Sequence, residues 1–432
     1  MKKKFVLWLT ILSLIFASGC NIIENVMQSS AENEMVKSNL ERDLAPNVDP
    51  SQLETLSRDN RTFAWAFYNE IRQGDGNIVF SPLSLSLALS MTLAGAETTT
   101  ETAMLEALRL TLSEEQVYPA FNALLLAIEA SQKETQTGDD EGYFQLNIAN
   151  SLWTQAGYEF KQAFLDVIAR NYGSGIYNVN FIQDPEGARK AINDWVAEET
   201  MDKITDLIPP GVINDLTRLV LANSIYFNGS WRYIFDPNDT AVKPFNLLDG
   251  SEINVDMMNL GSEYLGYTEG KNYKTVTLPY LSNDFAMTLL LPDSGQFASF
   301  EGSLDEERLG AILSDQNMAQ IALQMPKFDF ESTIDAKDAL KALGMAEAFQ
   351  DGKADFSGIT NEEKLLITDV LHKATITVDE QGTEAAAATA VIVGLESMPS
   401  EPIPLVIDRP FLFVIQHRPT GTILFMGRVL EP

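Results

Sequence analysis

Apolar residues recur at helical spacing in the first part of the long body of the chain. Between Leu56 and Ile71 they occupy positions 56, 63, 64, 67, 68 and 71, which predicts one amphipathic helix. Residues 77–80 then predict a short strand. Ser81-Pro82 opens a second helix, because serine caps helices and proline is preferred at their first position. This second helix is apolar on all sides through Leu93, so we expect it to be buried.

Farther along, strands and helices follow one another without a regular β-α alternation. The pattern predicts a helix that opens at Asp184-Pro185. It also predicts strands over Leu219–Phe227 and Ala286–Leu291, each buried on both faces. This mixture disfavours a doubly wound sheet. No second linker or repeat follows, so residues 54–432 are predicted to form one domain of roughly 380 residues, which requires several sheets.

The composition excludes several classes of function. The chain has 30 Lys and Arg against 61 Asp and Glu, a formal charge of −31. A nucleic-acid binder needs a positive face, so this class is nearly excluded unless the chain forms a basic patch. Its one cysteine, Cys20, excludes an internal disulfide. His372 and His417 are the two histidines, too few for a histidine- or cysteine-rich metal site, and we expect neither metal nor cofactor. The acidic surface is interpreted as a solvated surface that aids solubility.

The N-terminus has the features of an export signal. Lysines at 2–4 precede an apolar run over 5–16 that is short for a membrane span, and small residues at 17–19 precede Cys20. This resembles the lipobox of bacterial lipoproteins, which implies a signal peptide over 1–19 and a lipid on Cys20. The protein would then be held at the bacterial cell surface or outer membrane, and an ordinary signal peptide is the alternative. The polar, acidic residues 20–53 are expected to form a flexible tether. A short helix at 35–44 within it is the alternative.

Several short stretches, spread over nearly the whole predicted domain, form a specific set. They are residues 77–84 (NIVFSPLS), 221–231 (LANSIYFNGSW), 278–280 (LPY), 325–328 (MPKF), 372–374 (HKA), 379–389 (DEQGTEAAAAT), 408–411 (DRPF) and 424–428 (LFMGR). In this order they resemble the serpin family of protease inhibitors, from about residue 54 to 432. The resemblance implies an α+β fold with three β-sheets, eight or nine helices and an exposed reactive loop near the C-terminus. It also implies a monomer that is not an enzyme but inhibits an endopeptidase, first a serine protease and alternatively a cysteine protease.

The reactive loop has the composition that insertion into a sheet requires. In the family the cleaved loop enters the largest sheet as a new strand, whose side chains must alternate between two faces. Residues 383, 385, 387, 389, 391, 393 and 395 form an uncharged face, and no proline lies between 380 and 398. Gly382 is expected to give the hinge backbone freedom. Composition alone favours an alanine-rich helix instead. The predicted hinge residues are Glu380, Gly382, Thr383, Glu384, Ala385, Ala386, Ala387, Ala388 and Thr389.

The bond that a protease would cut is less sharply defined. In the family it usually lies about sixteen residues past the hinge glutamate, which places it at Glu396-Ser397. A shift of one residue selects Leu395 instead, and Met398 is a later choice. Residues 397–408 look longer than the family pattern and hold three prolines, which moves the register if the extra residues precede the cut. Glu396 suits a glutamate-specific protease, whereas Leu395 or Met398 suits chymotrypsin-, elastase- or subtilisin-like enzymes.

Two further groups of polar and aromatic residues match family positions. The first corresponds to a hydrogen-bonded cluster beneath the opening sheet, and each member stands in an apolar stretch where a polar group needs a partner. Its members are Ser81, Ser84, Asn223 and His372. The second corresponds to a salt bridge between Lys327 and Glu380 at the top of the hinge, and to an aromatic, Trp231, where insertion begins. Independent core or capping residues are the alternative for both groups.

Two other functions stay open at this point. A serpin-fold protein without inhibitory activity would act as a binding or chaperone-like module. A serine hydrolase would use Ser81 or Ser84 with His372, but these serines stand at a buried helix start without the G-x-S-x-G turn of such enzymes.

Overall fold

The computed structural model describes residues 35–136, 144–314, 316–362, 364–383 and 401–432. Within them nine α-helices and sixteen strands occur. The helices are α1 Pro50–Ile71, α2 Pro82–Leu93, α3 Thr98–Ala107, α4 Glu114–Gln136, α5 Gln162–Tyr172, α6 Pro185–Glu199, α7 Phe297–Ser303, α8 Glu306–Ser314 and α9 Lys337–Leu340.

The strands belong to two hydrogen-bonded sheets. They are β1 Met35–Val36, β2 Ile78–Phe80, β3 Phe144–Gln155, β4 Ile176–Val179, β5 Leu219–Ser230, β6 Ala241–Asn246, β7 Glu252–Gly270, β8 Tyr273–Pro279, β9 Phe285–Pro292, β10 Asn317–Pro326, β11 Phe328–Asp335, β12 Asp369–Val378, β13 Gly382–Thr383, β14 Ile403–Val406, β15 Phe411–His417 and β16 Thr422–Val429. The seven-stranded sheet has the order β1-β4-β3-β5-β13-β12-β11. The nine-stranded sheet has the order β14-β10-β7-β8-β9-β15-β16-β2, with β6 paired to β7.

The elements predicted from local patterns are confirmed. The stripe from Leu56 lies in α1, and the wholly apolar segment is α2, all of whose residues are buried. Asp184 caps α6, since its side chain accepts a hydrogen bond from the Gly187 amide. Strands β5 and β9 cover the two segments predicted to be buried on both faces. The α+β class is therefore confirmed, with α2 packed between β3 and β5 of one sheet and β16 of the other.

The resemblance implies three β-sheets, but in the described residues two of them are joined into the one nine-stranded sheet. Strand β7 pairs with β6 through its first half and with β8 through its second half, and β10 runs alongside both halves. The ladder between β7 and β10 is interrupted near Gly261, which has a positive φ of 75° that suits glycine. The strand therefore bends at a bulge and passes from one expected sheet into the next without ending.

The segment before α1 differs from the expected tether. Met35 and Val36 form β1 and pair with Tyr177 and Ile176 at the edge of the seven-stranded sheet. Arg42 donates hydrogen bonds to Asn122 and Glu129 on α4. The expected domain start at residue 54 also falls inside α1. Residues 35–53 are thus part of the packed structure, and no helix forms at 35–44, because strand pairing and ionic contacts hold this stretch on the domain. The rest of the expected tether, 20–34, and the signal over 1–19 lie outside the described residues.

Candidate functional site: the strand junction and its buried polar cluster

The hinge of the expected reactive loop lies between two strands of the seven-stranded sheet. Strands β5 and β12 run parallel and pair directly over six positions, from Val220-Asp369 to Ile225-Ala374. Beyond this, β13 takes the place between them: Gly382 pairs with Ser230 on β5, and Thr383 pairs with Val378 on β12. Strand β13 is antiparallel to both neighbours. The junction therefore already contains the first two residues of a strand between β5 and β12.

Gly382 fits this junction because it has no side chain. A Cβ placed on it would lie 2.0 Å from the Gly229 carbonyl oxygen, far inside van der Waals contact. Gly382 is not among the residues with positive φ. In this conformation the close approach of two backbones is what requires glycine, and the expected freedom of the hinge during insertion stays a prediction.

Two aromatic rings support the hinge from beneath. Trp231 and Tyr280 are both buried and stack with ring centroids 4.6 Å apart. The Tyr280 hydroxyl lies 2.8 Å from Thr383 Oγ1, and Trp231 Nε1 donates to the Asp379 carbonyl at 3.0 Å. The turn from β12 to β13 is thus held at both ends by hydrogen bonds from buried rings. The side chain of Thr383, 1% exposed, points into this core.

A carboxylate with two donors fixes the start of the hinge. The Lys327 ammonium lies 2.7 Å from Glu380 Oε1, and Thr240 Oγ1 donates to the same oxygen at 2.6 Å. The backbone carbonyl of Glu380 accepts from the Phe235 amide at 2.9 Å. Burial by itself would raise the pKa of Glu380, but the hydrogen bonds from Lys327 and Thr240 outweigh it, and the pKa is lowered. Glu380 is therefore ionised at neutral pH. Its ion pair with Lys327, the residue between β10 and β11, connects the start of the hinge to these two strands.

Three polar residues form a row across the middle of the seven-stranded sheet. His372 on β12 is the registered partner of Asn223 on β5, and Asn223 is the registered partner of Asn150 on β3. His372 Nδ1 and Asn223 Oδ1 are 2.5 Å apart, and the Asn223 amide donates to Asn150 Oδ1. We call Asn150, Asn223 and His372 the cross-sheet row.

The N-terminus of α2 closes the cross-sheet row from below. The Ser81 backbone amide donates to His372 Nε2 at 3.0 Å, so this nitrogen is an acceptor and the proton of the neutral ring is on Nδ1. Asn223 Nδ2 donates to Ser84 Oγ at 2.6 Å, and Ser84 Oγ donates to Asn150 Oδ1 at 3.3 Å. The structure thus brings together all four members of the first group named from the sequence.

The imidazole of His372 is wholly buried, and this decides its charge. Burial lowers the pKa of His372 to about 3, because the low-dielectric surroundings disfavour the imidazolium. Each ring nitrogen already has a partner when the ring is neutral. His372 therefore holds β12 against β5 and α2 as a neutral, hydrogen-bonded group at physiological pH.

The geometry of this cluster does not support the hydrolase alternative. His372 Nε2 is occupied by the Ser81 amide, and Ser84 Oγ faces Asn150 and Asn223, so neither serine hydroxyl bonds to the imidazole. All three side chains are inaccessible to solvent. A nucleophile and its base require mutual contact and access to substrate, and neither serine has them.

Three contact residues escaped the sequence reasoning. Asn150, Thr240 and Tyr280 each bond to a predicted site residue. Asn150 could have been found by aligning β3 with β5, since it stands opposite Asn223 in the register. Tyr280 belongs to a stretch that was used for the resemblance, but its contact with Thr383 joins segments far apart in sequence.

Some predicted site residues lie outside the described residues, and their places stay predictions. They are Cys20, Glu384, Ala385, Ala386, Ala387, Ala388, Thr389, Leu395, Glu396, Ser397 and Met398. Among the described residues, His, Asp and Glu side chains do not gather into a group that could hold a metal ion. In that same part of the chain, every helix is too short or too polar to cross a membrane.

Comparison with known proteins places the chain in a family. The family model described as "Serpin (serine protease inhibitor)" matches residues 58–432. A serpin-like protein of Methanosarcina mazei is 34% identical, with 99% of this chain and 98% of the relative covered. The leukocyte elastase inhibitor of Sus scrofa is 35% identical, with 88% of this chain and all of the relative covered.

Solved structures agree with this placement. The thermophilic serpin tengpin in its native state superposes with a TM-score of 0.79 at 26% identity, over 93% of this chain and all of that chain. Together with the strand junction, these matches define a protein with the serpin fold. The chain belongs to the serpin family, whose members are generally protease inhibitors rather than enzymes.

Proposed function

We propose that the protein is a suicide-substrate inhibitor of an endopeptidase, in the first place a serine protease. The observation that carries the proposal is the position of β13, which occupies one end of the space between β5 and β12. A protease cuts the loop beyond Thr389, near Glu396-Ser397. The freed chain then continues from β13 as a full strand and displaces the protease while it is still bound as an acyl-enzyme.

The pairing geometry suits such an insertion. A strand that continues from β13 runs antiparallel to β5 and β12 and hydrogen-bonds to both, which replaces one ladder by two. Insertion must first separate the six direct pairs between β5 and β12 and the bond between His372 and Asn223. The junction thus has a defined opening line, and the neutral histidine lies on it.

The position of Thr383 determines which side chains of the loop would point inward and which outward in an inserted strand. Its side chain is buried against Tyr280, so alternate residues from 383 onward point to the same inner side of a continued strand. Residues 385, 387 and 389 are Ala, Ala and Thr, which are small and uncharged. The outer side receives Glu384, and residues 386 and 388 are alanines. A continued strand therefore buries no charge as far as Thr389.

The energy available from insertion is large enough to disrupt a protease. About 12–15 residues at roughly 0.5–1.5 kcal/mol for each net hydrogen bond supply on the order of 10–20 kcal/mol. Loss of one oxyanion-hole donor costs an enzyme about 3–4 kcal/mol of transition-state stabilisation. The free energy of insertion therefore exceeds the stabilisation that the oxyanion hole supplies, so insertion can displace the acyl-enzyme and stop deacylation.

Localisation and target class belong to the same proposal. Residues 1–20 support export and lipid attachment at Cys20, so the inhibitor would act at a bacterial cell surface, as a monomer, with a membrane as its second partner. Glu396 at the cut favours a glutamate-specific serine protease, and Leu395 a chymotrypsin- or elastase-like enzyme. A cysteine protease is the remaining target class.

The test is a panel of serine and cysteine proteases that includes a glutamate-specific one. Each protease is mixed with the purified protein and run on a denaturing gel, and the released C-terminal peptide is analysed by mass spectrometry. We expect a covalent band near the summed mass and a peptide that begins at Ser397. Cleaved loop with fully active protease throughout the panel would instead support a non-inhibitory binding or chaperone-like serpin.

A further inference from the structure

A groove lies where four separate segments of the chain meet. They are the connection from α1 to β2, the turn from β6 to β7, the start of β11 and the residues after β16. Its volume of about 820 Å³ is within the range of about 300–1,000 Å³ that is typical of ligand-binding pockets. The described residues of the hinge and of the cross-sheet row do not line it, so it is separate from the site described above.

Three leucines supply the apolar surface of this groove. Leu247 and Leu430 are half-buried and pack against the main core, so they form its floor. Leu248 is 55% exposed. A single exposed leucine is common on protein surfaces, but this one lines the same groove as the other two. A partner that covers all three would bury apolar surface that the chain itself leaves in water.

Hydrogen bonds hold the walls of the groove in place. Asn77 Oδ1 accepts from the Leu430 amide at 2.7 Å, and Asn77 Nδ2 donates to the Glu431 carbonyl at 2.6 Å. The turn from β6 to β7 closes through a bond from the Leu247 amide to the Ser251 carbonyl at 2.8 Å. The groove is therefore formed before a partner binds, which lowers the free-energy cost of binding.

The rim of the groove is acidic. Asp75, Asp249, Asp329 and Glu431 line it and are all exposed. Four acidic residues among the ten that line the groove compare with 61 among 432 in the whole chain, about one in seven. The lining contains no lysine or arginine, and within the described part of the chain none of the four carboxylates forms an ion pair. Such an uncompensated group of like charges attracts a cationic partner.

The combination of charge and apolar surface favours one kind of occupant. A nucleic acid or an anionic lipid surface would be repelled by the carboxylates. A second copy of the chain carries the same excess of acidic residues, 61 against 30 basic ones. A small amine would pair with the carboxylates but would leave the leucines in water. In an extended polypeptide alternate side chains point to opposite sides, so one segment can present aliphatic groups to the floor and cationic groups to the rim.

We propose that this groove binds an extended segment of a partner protein in which basic residues alternate with large aliphatic residues. The aliphatic side chains pack on Leu247, Leu248 and Leu430, and the ammonium or guanidinium groups pair with the exposed carboxylates. Charge complementarity of this kind accelerates association and makes it dependent on salt. The proposal does not depend on inhibitory activity, because the groove is separate from the hinge.

A fluorescently labelled, capped pentapeptide of sequence Lys-Leu-Lys-Leu-Lys is the probe that tests this groove. Its binding to the purified protein is followed by fluorescence anisotropy. It should bind at least about tenfold more tightly than Lys-Ser-Lys-Ser-Lys, a difference of about 1.4 kcal/mol, because serine lacks the apolar contacts. Raising the ionic strength from about 0.1 M to about 1 M should weaken binding at least about fivefold, since the Debye length falls from about 10 Å to about 3 Å.

Two charge variants locate the binding. The double variant Asp249→Asn, Asp329→Asn removes two carboxylates of the rim but keeps the oxygens that accept hydrogen bonds from neighbouring residues, so the fold is expected to stay intact. It should bind the probe at least about tenfold more weakly. The control is Asp293→Asn, Asp351→Asn, which removes the same charge from exposed residues outside the groove and should leave binding unchanged.

Two apolar variants test the contact with the leucines. Leu248→Ser should weaken binding about fivefold, whereas Val242→Ser, at an exposed side chain of β6 outside the groove, should not. Equal binding within either pair of variants, no binding by the unmodified protein, or equal binding of the serine peptide would each overturn the proposal. Spermine bound as tightly as the probe would overturn it in favour of small amines. A dimer that Leu248→Ser dissociates, detected by sedimentation, would overturn it in favour of a second copy.

Discussion

Gly382 lies so close to Gly229 that two glycines from distant parts of the chain form one contact. A Cβ on Gly382 would lie 2.0 Å from the Gly229 carbonyl oxygen, and Thr383 is the registered partner of Gly229 in the ladder. A Cβ on Gly229 would itself meet Phe227 at 2.9 Å and Tyr280 at 3.0 Å. Neither position has room for a side chain. The entry point of the loop into the sheet is therefore set by backbone contact.

Gly382→Ala is expected to displace the hinge from β5. The added methyl group must push the two backbones apart, and overpacking of this kind costs about 1–3 kcal/mol. Urea unfolding measures the loss of stability. Gly302→Ala is the control, because a Cβ at Gly302 meets nothing within 4 Å. Equal stability of the two variants would contradict the close contact.

Thr389→Arg is expected to convert the inhibitor into a substrate. Counted from the buried Thr383, position 389 falls on the inner side of a continued strand, where an unpaired charge is costly to bury. Ala388→Arg places the same charge on the outer side and should remain inhibitory. The yield of covalent complex with a responsive protease measures both. If only Ala388→Arg lost the covalent complex, the assignment of position 389 to the inner side and position 388 to the outer side would be reversed.

The pH dependence of stability should report the burial of His372. Its pKa is about 3 in the folded chain against about 6.5 when unfolded, so the unfolded chain binds more protons between these values. The contribution of the neutral ring is therefore complete above pH 6.5 and is lost as the pH falls toward 3. At pH 5 the loss amounts to about 2 kcal/mol, from about 1.4 kcal/mol for each pH unit.

His372→Gln supplies the comparison for that measurement. The variant lacks the titrating ring but keeps the other acidic and basic groups, so its unfolding free energy should fall less steeply from pH 7 to pH 5. Both proteins are unfolded in urea at each pH. If the unfolding free energies of the two proteins changed in parallel with pH, the proton uptake of the His372 ring would not differ between the folded and unfolded chains. Protease specificity should stay unchanged in His372→Gln, because His372 is buried in the middle of the seven-stranded sheet and is not one of the residues at the proposed cut.

Deleting residues 1–44 should destabilise the domain, whereas deleting residues 1–34 should not. The longer deletion removes β1 and the bonds from Arg42 to Asn122 and Glu129. Hydrogen bonds that involve a charged group contribute about 1.5–3 kcal/mol, so the unfolding free energy should fall by about that amount. The shorter deletion leaves these contacts intact. Equal stabilities would mean that residues 35–44 do not hold to the domain.

Local patterns were sufficient to predict the elements that carry the site. The cap at Ser81, the buried α2 and the apolar β5 follow from short-range rules, and these elements hold Ser84 and Asn223. The resemblance then supplied His372, which stands opposite Asn223 in the ladder. Asn150 and Thr240 were missed because their contacts depend on strand register and on approach between distant segments, which a single pattern does not encode.

Contacts with distant backbone account for two features that the sequence did not reveal. The stretch at 35–44 was predicted to be tether because it is polar, but β1 needs only two residues to pair with Tyr177 and Ile176. The lack of space at Gly382 is a second such feature, and it adds to the hinge freedom predicted there. The composition of a segment carries little information about such contacts.

The position of β1 determines through which half of the seven-stranded sheet a force applied at the start of β1 would enter. The opening line between β5 and β12 divides the sheet into a half with β1, β4, β3 and β5 and a half with β12 and β11. Residues upstream of Met35 join the first half, and the Asn150-Asn223 bond holds β3 to β5 within it. A force applied at Met35 would therefore enter the sheet through β1 and β4, and it would reach the Asn150-Asn223 bond before the bond between Asn223 and His372.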